Sequence, residues 1–142
     1  MNSSDLKQLY NAVIMKHQKD PYHFEEKDGE PSFIASNPMC GDTFKVYLQE
    51  QGDQIMDVHY HGFGCALSKA SASILLKAIE NKTRDEVREF CSDFLAAAEG
   101  RKKWQYSDET DMLAELRNHG GRMDCIKLVW KGLNDYLEEK EI

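Results

Sequence analysis

Apolar positions along the chain follow two periods. Leu6, Leu9, Tyr10, Val13 and Ile14 recur at helical spacing behind Ser3, Ser4 and Asp5, whose oxygens suit the free amides of a first turn, so a helix ending near His17 is expected. From Asp20 to Met39 the pattern disappears. That stretch holds all three prolines, Pro21, Pro31 and Pro38, together with Gly29 and several charges, and reads as an extended loop. Period two then takes over. Phe44, Val46 and Leu48 alternate with Lys45, Tyr47 and Gln49, and Met56, Val58 and Tyr60 alternate with Asp57, His59 and His61; two half-buried strands joined by a turn at Gln51-Gly52-Asp53 follow.

The helical period returns at Ala66. "ALSKASASILLKAIENK" carries small residues beside Leu67, Ile74, Leu75, Ala78 and Ile79, which suits a helix packed closely on the sheet. Thr83 caps a further helix that stops at Gly100, with Val87, Phe90, Cys91, Phe94 and Leu95 on one stripe. A shorter helix covers "DETDMLAELRNHGG". The last element, "CIKLVWKGLNDYLEE", gathers Ile126, Val129, Trp130, Leu133, Tyr136 and Leu137 on one face and ends in a solvated "EEKE". The order of elements predicts an α+β fold: a small antiparallel sheet with several helices packed on one face.

The 142 residues, 41% of them hydrophobic, fit a single domain spanning 1–142. A formal charge of -7 with only a short "RKK" run argues against nucleic acid as a partner. The chain opens without a continuous apolar stretch and holds no window long enough for a membrane span, so a cytoplasmic protein that uses no membrane is expected. In that compartment the four cysteines stay reduced, and burial, metal binding or thiol chemistry must account for them.

Cys91 falls on an apolar stripe and reads as core, like Trp130. Each of the other three stands near glycine at a turn or element boundary: Cys40 before Gly41, Cys65 after Gly64, and Cys125 four residues after Gly121. Cys65 also falls where a strand turns into a helix, whose N-terminal partial charge favours thiolate. With Asp42 these cysteines form a set of three sulfurs and one carboxylate, suited to Zn²⁺ or to an iron-sulfur cluster. Without any CxxC pair, spacing fits inert burial as well. His59 and His61 share a strand face and are expected to be solvated or hydrogen bonded; His17, His23 and His119 join no constellation.

Three segments add a resemblance. "NPMCGD", "GFGCALSKASAS" and "RMDCIKLVW" resemble the U-type iron-sulfur cluster assembly family, from about Leu6 to Leu137. Cys65 and Cys125 are 60 residues apart, as in the SufU branch, and "SDFLAAAEGRKKWQYSDETDM" is the place for that branch's insertion. Asp124 stands where the IscU pattern has histidine, and "RNHGGRM" replaces its chaperone-docking segment. The resemblance implies a zinc-dependent sulfurtransferase that accepts sulfur from a PLP-dependent, SufS-like cysteine desulfurase, stimulates that enzyme, and passes the sulfur to a downstream scaffold. Cys40, Asp42, Cys65 and Cys125 match the zinc ligands, Cys40 matches the receiving thiol, and Arg122 matches a nearby arginine. The alternative it implies is a scaffold assembling a labile [2Fe-2S] cluster, with iron or the cluster in place of zinc.

Overall fold

The computed structural model describes residues 3–120 and 122–139. Helix α1 (Ser3–Lys19) precedes strands β1 (Ser32–Asn37), β2 (Asp42–Gln51) and β3 (Gln54–Phe63), and helices α2 (Ala66–Ile79), α3 (Arg84–Ala98), α4 (Asp108–Glu115) and α5 (Met123–Glu139) follow, with a short 3-10 turn, Leu116–Asn118, between the last two. The strands form an antiparallel sheet in the order β1-β2-β3. The α+β architecture is therefore as read, with one strand more. Ser3 to Asp5 lie inside the first turn of α1 instead of before it, and "EEKE" reaches past Glu139 outside the described residues, as does Gly121.

The added strand corrects the reading of residues 20 to 39 as loop. Ser32–Asn37 has no alternating pattern because its pairing, from Ser32 opposite Tyr47 to Asn37 opposite Asp42, carries it to the sheet edge with only Ala35 buried. Segment 37–42 is thereby the loop of a second hairpin.

The strands at the centre match their pattern until a bulge intervenes. Phe44, Val46 and Leu48 lie opposite Gly62, Tyr60 and Val58, and all five side chains are buried in the core. Between Gln49 and Glu50 the register shifts, so that Glu50 faces Ile55 and the expected inward Met56 is 38% exposed while Ile55 takes its place in the core. Tyr47 and His59, opposite one another and expected outside, are buried as well.

Helix α2 packs on β3, and α5 on both β1 and α2. Its serines tie it to its neighbours. Ser68 reaches β2, Ser71 donates to the Ile126 carbonyl of α5 at 2.7 Å and accepts from Trp130 Nε1 at 2.9 Å, and Ser73 accepts from the Tyr22 amide at 2.7 Å and meets His17 Nδ1 at 2.7 Å. Buried hydroxyls without partners would be costly, so these bonds fix how the helices sit. Thr83 and Glu86 cap α3 reciprocally, contributing about 1 kcal/mol. The segment given to an insertion supplies Trp104 and Tyr106 to an aromatic cluster with Phe90, Phe94 and Trp130.

Candidate metal centre

The β1–β2 hairpin loop brings the first two site residues together. Asn37 accepts the amides of Cys40 and Gly41 on its carbonyl, at 3.3 and 2.9 Å, and the Met39 amide on its side chain at 3.1 Å. Pro38 suits the second position of such a turn, and Gly41 adopts a left-handed φ of 76°, which a residue with a Cβ resists. The turn leaves Cys40 exposed and sends Asp42 inward, 2% exposed.

Asp42 is the hub of the site. Its Oδ1 accepts the Cys65 amide at 3.0 Å; its Oδ2 accepts the Ser68 hydroxyl at 2.5 Å and the Cys40 thiol at 3.4 Å, with the Cys65 sulfur at 3.9 Å. Burial by itself would raise the Asp42 pKa. The bonds from Ser68, the Cys65 amide, and the Cys40 and Cys125 thiols outweigh it and hold the carboxyl below its ordinary value. The approach depends on Gly64, where a Cβ would lie 2.5 Å from the Phe44 ring and 3.1 Å from Asp42 Oδ1.

Two helix starts complete the set. Cys65 is the N-cap of α2, its sulfur accepting the Ser68 amide at 3.4 Å. Cys125 lies in the first turn of α5, its amide bonded to the Arg122 carbonyl at 3.1 Å. Burial raises both thiols, but bonds from Ser68 help to bring Cys65 below its ordinary value, while burial, with Cys65 nearby, pushes Cys125 up to about 12. Arg122 lines an open cavity of about 420 Å³ with Met39, Cys40, Asp124 and Cys125, and its charge favours the Cys125 thiolate.

One ligating atom each from Cys40, Asp42 and Cys125 lie within 4.8 Å of one another; Cys65 stands outside that group, its sulfur 3.9 Å from Asp42 Oδ2. Tetrahedral zinc, with bonds of about 2.3 Å to sulfur and about 2.0 Å to oxygen, needs sulfur-oxygen edges of roughly 3.5 Å. The separations of 3.4 and 3.9 Å to Asp42 Oδ2 fit this, and the donor set suits such an ion. Cys91 is remote from this chemistry, fully buried on α3, where desolvation pushes its thiol up.

Residues 9–115 match the model of the NifU-like N terminal domain. The chain belongs to this family. An iron-sulfur cluster assembly scaffold protein IscU from Streptococcus pyogenes serotype M1 is 29% identical over 140 residues, covering 97% of this chain and 88% of that protein. The zinc-dependent sulfurtransferase SufU of Bacillus subtilis is 28% identical over 144 residues, covering 98% and 96%. Among solved structures, a candidate iron-sulfur cluster assembly scaffold for the SUF system from Fervidobacterium islandicum AW-1 superposes with a TM-score of 0.81 at 27% identity, over 92% of this chain and 97% of that one. The NifU-like match contains Cys40, Asp42 and Cys65 and stops before Cys125.

Of the four predicted ligands, Cys40, Asp42 and Cys125 form one group, and Cys65 meets it through Asp42. The sequence reading did not single out Ser68, although its place three residues after an N-capping cysteine marks it as a partner for that thiol. It also left His17 alone, whereas the buried imidazole joins Ser73 to Glu109 on α4. His59, expected to be solvated or hydrogen bonded, is buried beside His23, because residues 23–25 run along β3. His61 on the same face pairs with Glu26 at 3.2 Å.

Proposed function

We propose that this protein serves iron-sulfur cluster assembly as a zinc-dependent sulfurtransferase. It takes persulfide sulfur from a PLP-dependent, SufS-like cysteine desulfurase onto Cys40 and passes it to a downstream scaffold in the cytoplasm. Cys40, Asp42, Cys65 and Cys125 would hold the zinc. The observation that carries the reading is the asymmetry of the set: one thiol exposed on a hairpin loop beside three donors fixed by buried bonds and helix starts.

Bound zinc would keep the thiols deprotonated near neutral pH. The chain's own residues do the rest. Asp42, anchored by Ser68 and the Cys65 amide, stays in place when Cys40 turns outward. The Cys40 thiolate attacks the outer sulfur of the desulfurase persulfide; a new sulfur-sulfur bond forms, the old one breaks, and the desulfurase cysteine leaves as thiolate, with no net oxidation. Met39, 93% exposed next to Cys40, and Phe63, 82% exposed two residues before Cys65, would offer apolar contacts to a partner protein.

A second reading is a scaffold that builds a labile [2Fe-2S] cluster on the same residues. The names of the Streptococcus and Fervidobacterium relatives favour it. The experiment mixes zinc-loaded protein with a cysteine desulfurase and free cysteine, and maps added sulfur by mass spectrometry. Sulfur on Cys40 with faster alanine release supports transfer. Unchanged alanine release and no added sulfur overturns it, and anaerobic reconstitution followed by transfer of a cluster to an apo-acceptor would then support the scaffold.

A further inference from the structure

A second group of ligating side chains lies on β3, away from the cysteines. Phe24 bridges Tyr60 in parallel; the Tyr60 amide donates to the His23 carbonyl at 3.1 Å and the Glu25 amide to the Tyr60 carbonyl at 2.9 Å. This pairing sets the His23 and His59 rings in a stack, 4.9 Å apart at 22°. Asp57 lies two residues before His59 on the same face of β3, and one ligating atom each from His23, Asp57 and His59 lie within 4.8 Å of one another.

Three details of this cluster point to a ligand. His23 Nδ1 donates to the Val58 carbonyl at 2.8 Å, which leaves the lone pair on Nε2, and metal-ligating histidines use this arrangement to fix tautomer and ring. His59 Nδ1 is buried in a side chain only 9% exposed and has no hydrogen-bond partner among the described residues; the Asp57 carboxylate, 3.7 Å away, is beyond hydrogen-bond reach. A buried imidazole nitrogen left so is costly unless something takes its lone pair or proton. His23 also holds a left-handed φ of 52°, uncommon outside glycine and tied here to the pairing that places its ring. Around the cluster, Glu25 stands 4.0 Å from His59 Nε2 and Glu80 3.4 Å from His23 Nδ1, so the surroundings are anionic and favour a cation.

We propose that His23, Asp57 and His59 bind a divalent transition-metal ion of the zinc or ferrous class through nitrogen and oxygen, at a site separate from the thiolate centre. Two imidazoles and a carboxylate are donors for such ions, with Glu25 or water open to complete the shell. His59 and Cys65 are six positions apart, on the order of 20 Å of extended chain, so the two sites can fill independently. The proposal does not depend on what the cysteines do.

The test titrates the reduced 142-residue chain with Co²⁺ and follows both bound metal and absorption. The expected result is an equivalent of cobalt bound without thiolate-to-metal charge-transfer absorption, distinct from any that shows it. His23→Asn, whose new side chain tolerates a left-handed backbone, and Asp57→Asn, at a half-exposed position, should each weaken that equivalent by more than about 100-fold and leave the charge-transfer species intact. Cobalt binding only with charge-transfer absorption, or a sulfur-free equivalent held equally by both variants, overturns the proposal. The first result would leave the histidines as ion-pair partners of Asp57, Glu25 and Glu80.

Discussion

The two ends of the thiolate centre are built differently. Cys65 and Cys125 sit at the starts of α2 and α5, where buried serines fix both helices: Ser68 binds Asp42, and Ser71 joins the Trp130 indole to the Ile126 carbonyl. Cys40 sits on a hairpin loop whose hydrogen bonds among the described residues go to Asn37 and Asp42. Moving a helix-borne thiol disturbs core packing, whereas turning the loop thiol outward breaks one weak bond to a carboxylate that keeps its other partners. In the proposed sulfur transfer, the division of labour between holding and receiving follows from where each sulfur is attached.

The largest expected effect breaks that comparison at its exposed end. Cys40→Ala should reduce sulfur uptake from a desulfurase to background, while Cys91→Ala, a buried thiol outside the centre, leaves uptake intact and lowers stability by about 1–2 kcal/mol for the small cavity; mass spectrometry and denaturant melts check the two. Ser68→Ala addresses the anchored end. It removes an outer bond to Asp42 and Cys65, so zinc affinity, measured by chelator competition, should fall by about 10–100-fold with all four ligands still present.

Smaller effects concern the frame. Ser71→Ala leaves the Trp130 indole and the Ile126 carbonyl without their buried partner and should cost about 1–3 kcal/mol in urea unfolding. The contact between α1 and α4 carries a pH dependence. The bond from His17, with help from Lys16, lowers Glu109 from an ordinary 4.5 to about 2. A depressed carboxyl stabilises the fold above its ordinary pKa, and that contribution is lost as pH falls from about 4.5 towards 2. Thermal melts across this window should drop more steeply for the natural chain than for Glu109→Gln.

The contrast between the two ends also shows what sequence pattern can reveal. Local features were legible: the period-two strands, the Thr83 cap, and Cys65 at a strand-to-helix turn all depend on neighbours a few residues away. Convergence of Cys40, Cys65 and Cys125 was not readable from spacing, since it is made by sheet register and helix packing; the motif resemblance supplied it. Strand β1 was hidden because an edge strand with one buried side chain leaves no alternating signature. Met56 and Ile55 exchanged places because a bulge adds a residue that the pattern does not mark. The His23–His59 contact was hidden too, since it depends on an irregular segment pairing with β3 across 36 positions of sequence.

The most direct test of the account measures zinc content and sulfur uptake on the same samples of Cys40→Ala and Cys65→Ala. The account predicts that Cys40→Ala still binds zinc, held by Asp42, Cys65 and Cys125 at reduced affinity, yet accepts no sulfur, while Cys65→Ala loses most of its zinc. Sulfur uptake that persists in Cys40→Ala, or zinc lost as completely from it as from Cys65→Ala, would contradict the separation of receiving from holding.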